Sequence, residues 1–173
     1  NFAAIPHSDF RLGLPAAGPR RPIVLYQGAF RVDQGIEELV AATEHAVFRA
    51  TGALTVFLGF GQLEGWLRAA ATRRPDAIAV LPAVPEGDLL DWTAGADVAF
   101  VGAPPRTANQ RLTLPNKLFQ SLMAGVPIVV GTGTEHCRLT RAEAVGRCCD
   151  IDDPAAIASA VAELLSASPT ERA

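Results

Sequence analysis

From residue 23 onward, short apolar runs alternate with stretches of helical periodicity. The run Ile23-Val24-Leu25-Tyr26 predicts a buried strand that ends at Gln27-Gly28. Residues 34–49 read as one helix, with Ile36, Leu39, Val40, Thr43 and Val47 on a single face. Leu54-Thr55-Val56-Phe57-Leu58 predicts a second strand, ending at Gly59-Phe60-Gly61. Leu63, Trp66, Leu67 and Ala70 stripe the helix after it. Residues 77–81 predict a third strand, and residues 86–93 a short helix stopped at Gly95. Asp97-Val98-Ala99-Phe100-Val101 predicts a fourth strand, followed by a polar, proline-containing loop over residues 102–115.

Residues 116–124 predict a helix with Gly125 as its C′ residue and Pro127 just beyond. Pro127-Ile128-Val129-Val130 predicts a fifth strand. Residues 135–144 predict a short helix and residues 145–149 a sixth strand. Asp153 caps the last helix, with Pro154 at N1 and Ile157, Val161, Leu164 and Leu165 as its apolar face. Strand-helix alternation of this kind predicts an α/β domain: a parallel sheet covered on both faces. Right-handed crossovers make it a three-layer, Rossmann-like, doubly wound sheet of about six strands, in the order 3-2-1-4-5-6. A ligand then belongs outside the carboxyl ends of the strands, where the order reverses between the first and the fourth. The loops at residues 28–34 and 102–116 meet there, and those at 59–61 and 82–85 can line the same crevice.

Residues 1–22 lack this periodicity. Pro6, Pro15, Pro19 and Pro22 punctuate them, which predicts a linker docked on the domain through Phe10 and Leu12. The expected organisation is a linker over 1–22 and one domain over 23–173. A domain that opens with a linker implies an N-terminal partner domain.

Composition narrows the class. The chain has 173 residues, 49% of them apolar and 19% charged, which fits a folded domain and excludes a disordered one. A net charge of −3 argues against a nucleic-acid partner. Lys117 is the one lysine among 15 basic residues. Cys137, Cys148 and Cys149 make an odd set with two adjacent members, which predicts no disulfide framework. No Cys/His spacing predicts a zinc site. No apolar run approaches a membrane span, and no secretory leader pattern opens the sequence. These features lead to the expectation of a cytoplasmic protein.

The candidate chemistry lies in two loops. Gly28 lets backbone amides approach a phosphate closely, or merely permits the turn; both readings stand. A dinucleotide fingerprint is missing after the first strand, because the sequence there is Gln27-Gly28-Ala29-Phe30-Arg31. Gly59-Phe60-Gly61 follows the second strand instead, where a tight turn with close helix packing is the favoured reading. The richest stretch is Thr113-Leu114-Pro115-Asn116-Lys117-Leu118-Phe119-Gln120. A helix start there supplies free N–H groups and a positive dipole end. Lys117 adds a cation, and Gln120 can hydrogen-bond a sugar hydroxyl. His7, His45 and His136 are isolated, with His45 expected to face solvent.

These segments together resemble the C-terminal domain of GT-B glycosyltransferases of the family 4 type. The matching residues are Val24 to Gly28 with Gly35 to Leu39, Gly59-Phe60-Gly61, and Val80 to Pro85 with Leu89-Leu90. The strongest match runs from Leu114-Pro115-Asn116-Lys117-Leu118-Phe119 through Leu122 to Pro127. Ile5-Pro6-His7-Ser8-Asp9 resembles the interdomain linker of that family. The resemblance implies that this domain binds a nucleotide-diphosphate sugar as donor, while an absent N-terminal domain binds the acceptor. It implies retaining transfer without a metal ion or other cofactor, and any membrane contact would fall to the absent domain. The implied donor site comprises Gly28, Ala29, Arg31, Gly59, Gly61, Pro115, Asn116, Lys117 and Gln120, with the base near Ala83 and Val84.

The sequence also departs from that family. Gln120 stands where an acidic residue often binds the ribose, Gln34 where a basic residue is common, and Ala29 where an arginine is common. Arg31 is the candidate substitute. Two further readings stay open beside the enzyme part: a degenerate, non-catalytic relative with a scaffolding or other ligand-binding role, and a dinucleotide-binding oxidoreductase domain.

Overall fold

The computed structural model describes residues 21–167. The predicted linker, with Phe10, Leu12 and His7, lies almost wholly outside the described residues. Six strands form one parallel sheet: β1 (Ile23–Ala29), β2 (Leu54–Phe60), β3 (Ile78–Leu81), β4 (Val98–Val101), β5 (Ile128–Gly131) and β6 (Gly146–Cys149). Their order is β3-β2-β1-β4-β5-β6, as the alternation predicts.

Two apolar clusters cover the two faces of the sheet, because successive strand residues point to opposite sides. Val24, Tyr26, Phe57, Val98, Phe100 and Val129 face one layer. Leu25, Val56, Ala99, Val101, Ile128 and Val130 face the other. The first layer holds α1 (Ile36–Ala42), α2 (Ala46–Ala50), α3 (Glu64–Arg73) and α8 (Pro154–Ser166). The second holds α4 (Leu89–Ala94), α6 (Asn116–Met123) and α7 (Glu135–Ala142), while α5 (Ala108–Leu112) packs on α7.

Several boundaries differ from expectation for local reasons. The helix predicted over 34–49 is two helices. Gly35 at φ +71° starts the first, and Thr43 ends it, its hydroxyl donating to the Val40 carbonyl. The break rotates the second helix, so Phe48 is buried and Val47 is 51% exposed. Trp66 is 41% exposed, leaving Leu67 and Ala70 to pack α3 against the sheet. The loop expected over 102–115 contains α5, held by a capping box between Thr107 and Gln110. Asp153 caps α8 as predicted, accepting from the Ala155 amide.

The cysteines require a correction. Cys137 on α7 is bonded to Cys148 on β6, with Cα atoms 5.5 Å apart. The pairing depends on how α7 lies over β6, which the spacing of the three residues does not encode. Cys149 points to the opposite face and is buried.

Candidate functional site

A cavity of about 360 Å³ opens at the carboxyl ends of the strands, between the turn after β1 and the start of α6. This is where the strand order reverses. Gly28, Ala29 and Arg31 line one side, and Pro115, Asn116, Lys117 and Gln120 the other. Tyr26, Gln27, Gln34 and Leu89 complete the wall.

Gly28 adopts φ +120°, and a Cβ built on it would meet nothing within 4 Å. Gly28 is exposed and lines the cavity. Gly59 and Gly61 differ. A Cβ on Gly59 would lie 2.0 Å from the Gly28 carbonyl oxygen, and one on Gly61 2.7 Å from the Phe30 carbonyl oxygen. These two glycines bring the β1 and β2 turns together and do not line the cavity. The Phe30 amide donates to the Phe60 carbonyl, and Phe30 packs edge-on against Phe57. Ala83 is exposed, Val84 packs into the second apolar cluster, and neither lines the cavity.

Lys117 sits in the first turn of α6, after Pro115 at the N-cap. No side chain caps this helix, and the Leu118 amide donates to the Pro115 carbonyl. The Lys117 ammonium lies 4.4 Å from the centre of the Tyr26 ring and 3.4 Å from Gln34 Oε1. Among the described residues no carboxylate lies within ion-pair distance of it. Burial lowers its pKa to about 8, since desolvation penalises the charged form. Tyr26 shifts the opposite way: burial raises its pKa, opposed by the nearby Arg31 charge. Its hydroxyl donates to the Ala29 carbonyl, which braces the turn.

A polar relay runs beneath the cavity. The Thr93 hydroxyl on α4 is 2.6 Å from Gln27 Oε1, and Gln27 Nε2 donates to Gln120 Oε1 at 3.0 Å. Gln27 is only 4% exposed. Sequence reasoning used Gln27 as a strand end and passed over Thr93. The available signal was a polar residue ending a fully apolar strand run. His136, isolated in sequence, is tied into the fold: its Nε2–H donates to the Thr113 carbonyl in the loop leading to α6. Burial lowers the His136 pKa, which favours the neutral ring. Its Nδ1 is buried without a partner among the described residues. No group of three His, Cys, Asp or Glu side chains able to hold a metal occurs among the described residues.

Residues 21–167 match the family model described as "Glycosyl transferases group 1". Among curated proteins nothing matches the chain. Among solved structures, the chain is similar to WaaG, a glycosyltransferase involved in lipopolysaccharide biosynthesis. The identity is 15% and the TM-score 0.70, over 97% of this chain and 44% of that one. It is also similar to the sucrose-phosphate synthase of Thermosynechococcus elongatus, at 21% identity and TM-score 0.72, over 94% of this chain and 40% of that one. HepE of Anabaena, solved in complex with UDP, is 13% identical with TM-score 0.71, over 94% of this chain and 43% of that one. At these identities the likeness is one of fold. The chain spans less than half the length of each of these three proteins.

Proposed function

Because the chain belongs to the group 1 glycosyl transferase family, we propose that it is the donor-binding part of a retaining glycosyltransferase. The donor is a nucleotide-diphosphate sugar, and the acceptor is bound by a further domain that precedes this one. The observation that carries the reading is Lys117. A half-buried ammonium beside a cavity with only an amide oxygen and an aromatic ring as partners is poorly compensated. An anionic ligand supplies the missing charge.

The diphosphate would sit between Lys117, the α6 start and the bare backbone at Gly28. Arg31 adds charge from the β1 turn. Developing charge on the leaving diphosphate would be stabilised by these groups without a metal ion. Their preorientation is what makes such stabilisation effective. His136 holds the loop that sets the α6 start, and Tyr26 holds both the β1 turn and the Lys117 ammonium. The UDP complex of HepE supports a nucleoside-diphosphate ligand for this fold. The base would lie toward Leu89, which lines the cavity, rather than at Ala83, which does not.

Calorimetric titration with UDP, GDP, ADP and their sugar conjugates tests the reading. The expected result is micromolar binding of one diphosphate, lost on Lys117→Ala. Absence of binding in the folded, full-length protein would favour the degenerate relative, the reading that Ala29, Gln34 and Gln120 support.

A further inference from the structure

α7 is a short helix with few apolar anchors. Of its eight residues, Cys137 and Leu139 enter the second apolar cluster, while Arg138, Arg141 and Ala142 are exposed. The buried Thr140 spends its hydroxyl on the His136 carbonyl of the same helix. Thr134 caps the helix, accepting from the Cys137 amide and donating to the Gly131 carbonyl at the end of β5. A helix of this length does not hold itself. The Cys137–Cys148 bond is its covalent tie to β6.

That tie lies one residue from a contact with the cavity wall. His136, 2% exposed, donates from Nε2–H to the Thr113 carbonyl. Thr113 leads through Leu114 to Pro115, the N-cap of α6. Pro115, Asn116 and Lys117 line the cavity. A short run of bonded and hydrogen-bonded residues therefore joins the disulfide to the cavity: Cys148, Cys137, His136 and Thr113.

The two sulfurs differ in access. Cys137 is 5% exposed and Cys148 is half-buried, so an external thiolate reaches Cys148 first. Cys137 sits in the first turn of α7, where the helix dipole stabilises a departing thiolate. Cys149 follows Cys148 in sequence but packs on the opposite face of the sheet, and burial pushes its thiol pKa up to about 12. It is placed to neither attack nor re-pair the bond, so the electrons that open it come from outside.

We propose that the Cys137–Cys148 bond is a redox latch on the cavity: exchange with a dithiol reductant frees the first turn of α7, loosens the Thr113 loop through His136 and weakens diphosphate binding. The proposal rests on the cavity being the diphosphate site and adds a regulation to it. One thiolate of the reductant bonds to Cys148 Sγ as the Cys137–Cys148 bond breaks, and Cys137 leaves as a thiolate that takes up a proton. The second thiolate of the reductant closes on the first sulfur and displaces Cys148, which is protonated in turn. Two electrons and two protons pass to the protein, and the dithiol becomes a disulfide. A disulfide oxidant runs the sequence backward.

Titration of the full-length protein with UDP, GDP and ADP, before and after treatment with dithiothreitol, tests the latch. Alkylation and peptide mass spectrometry fix the state, with Cys137 and Cys148 labelled only after reduction. The expected result is about tenfold weaker diphosphate binding in the reduced protein, restored on reoxidation. Equal affinity in the two states would overturn the proposal, as would labelling of both cysteines before reduction. Cys148→Ser is expected to bind as weakly as the reduced protein and to ignore dithiothreitol; the wild-type comparison decides even if this variant does not fold. His136→Ala is expected to lose the redox response as well. A His136→Ala protein that still responds tenfold would defeat the route through Thr113.

Backbone amide exchange reads the latch without a ligand. The Thr113 amide donates to the Asn109 carbonyl and the Leu118 amide to the Pro115 carbonyl, and both are expected to exchange faster after reduction. Faster exchange in a protein that binds no diphosphate in either state would keep the latch and remove the diphosphate reading. Unchanged exchange in such a protein would remove both.

Discussion

The carboxyl ends of β1 and β2 both carry glycine at a positive φ, and they use it in opposite ways. Gly28 lines the cavity, with nothing within 4 Å of a built Cβ. Gly59 fills its space with another strand's backbone, the Gly28 carbonyl oxygen. The parallel register pairs the two residues directly, Gly28 with Gly59. One glycine therefore lines an open cavity, and its partner makes room for the chain. A glycine-rich turn at a strand end is not by itself a ligand contact; the neighbour a Cβ would strike decides which it is.

The largest effect that would break this contrast is on Gly59. Gly59→Ala is expected to destabilise the fold by more than about 3 kcal/mol, beyond the usual overpacking range, because a backbone oxygen has no rotamer to move. Urea denaturation measures it, and a mild effect would show that the two turns slide apart easily. Next comes Lys117→Met. The expected loss in diphosphate affinity is about 100-fold, with stability unchanged or higher, because a half-buried charge without a carboxylate partner is removed. Titration and denaturation on the same variant separate the two, and a loss of stability without loss of affinity would make Lys117 a structural residue.

The pH dependence of Lys117 sharpens the same division between ligand and fold. Its folded-state pKa is lowered from 10.5 to about 8. Diphosphate affinity should therefore fall as pH rises through about 8, by up to about tenfold per pH unit for one linked proton. Stability should move the other way between pH 8 and 10.5, because there the unfolded chain binds the proton that the folded one has lost. A smaller effect is expected at Gly28. Gly28→Ala meets no neighbour, so its cost is the strained φ, about 1–3 kcal/mol. It should weaken diphosphate binding while leaving the β1–β2 pairing intact, checked by titration and thermal unfolding. A Gly28→Ala variant as unstable as Gly59→Ala would erase the contrast between the turns.

Much of the fold was legible because strand runs and helical stripes differ in period. The errors came where a helix breaks or where two elements must lie across each other. A stripe from Ile36 through Thr43 to Val47 looks continuous, yet the Thr43 hydroxyl bonds its own helix and the chain turns. The start of α6 was legible from Pro115, Asn116 and Lys117. Gln27 and Thr93 were not, since they lie 66 residues apart and meet only because β1 and α4 pack together. The Cys137–Cys148 bond escaped for the same reason.

The sequence by itself determined the alternation of strands and helices, the order of the sheet, and the crevice at its switch point. Periodicity dictates which faces are buried, and chain connectivity limits how buried faces stack. Only the tertiary structure decided which glycine lines the cavity, how far Lys117 is desolvated and that Gln27, Thr93 and Gln120 meet. Those properties depend on atoms brought together from distant parts of the chain, and local pattern carries no record of such neighbours.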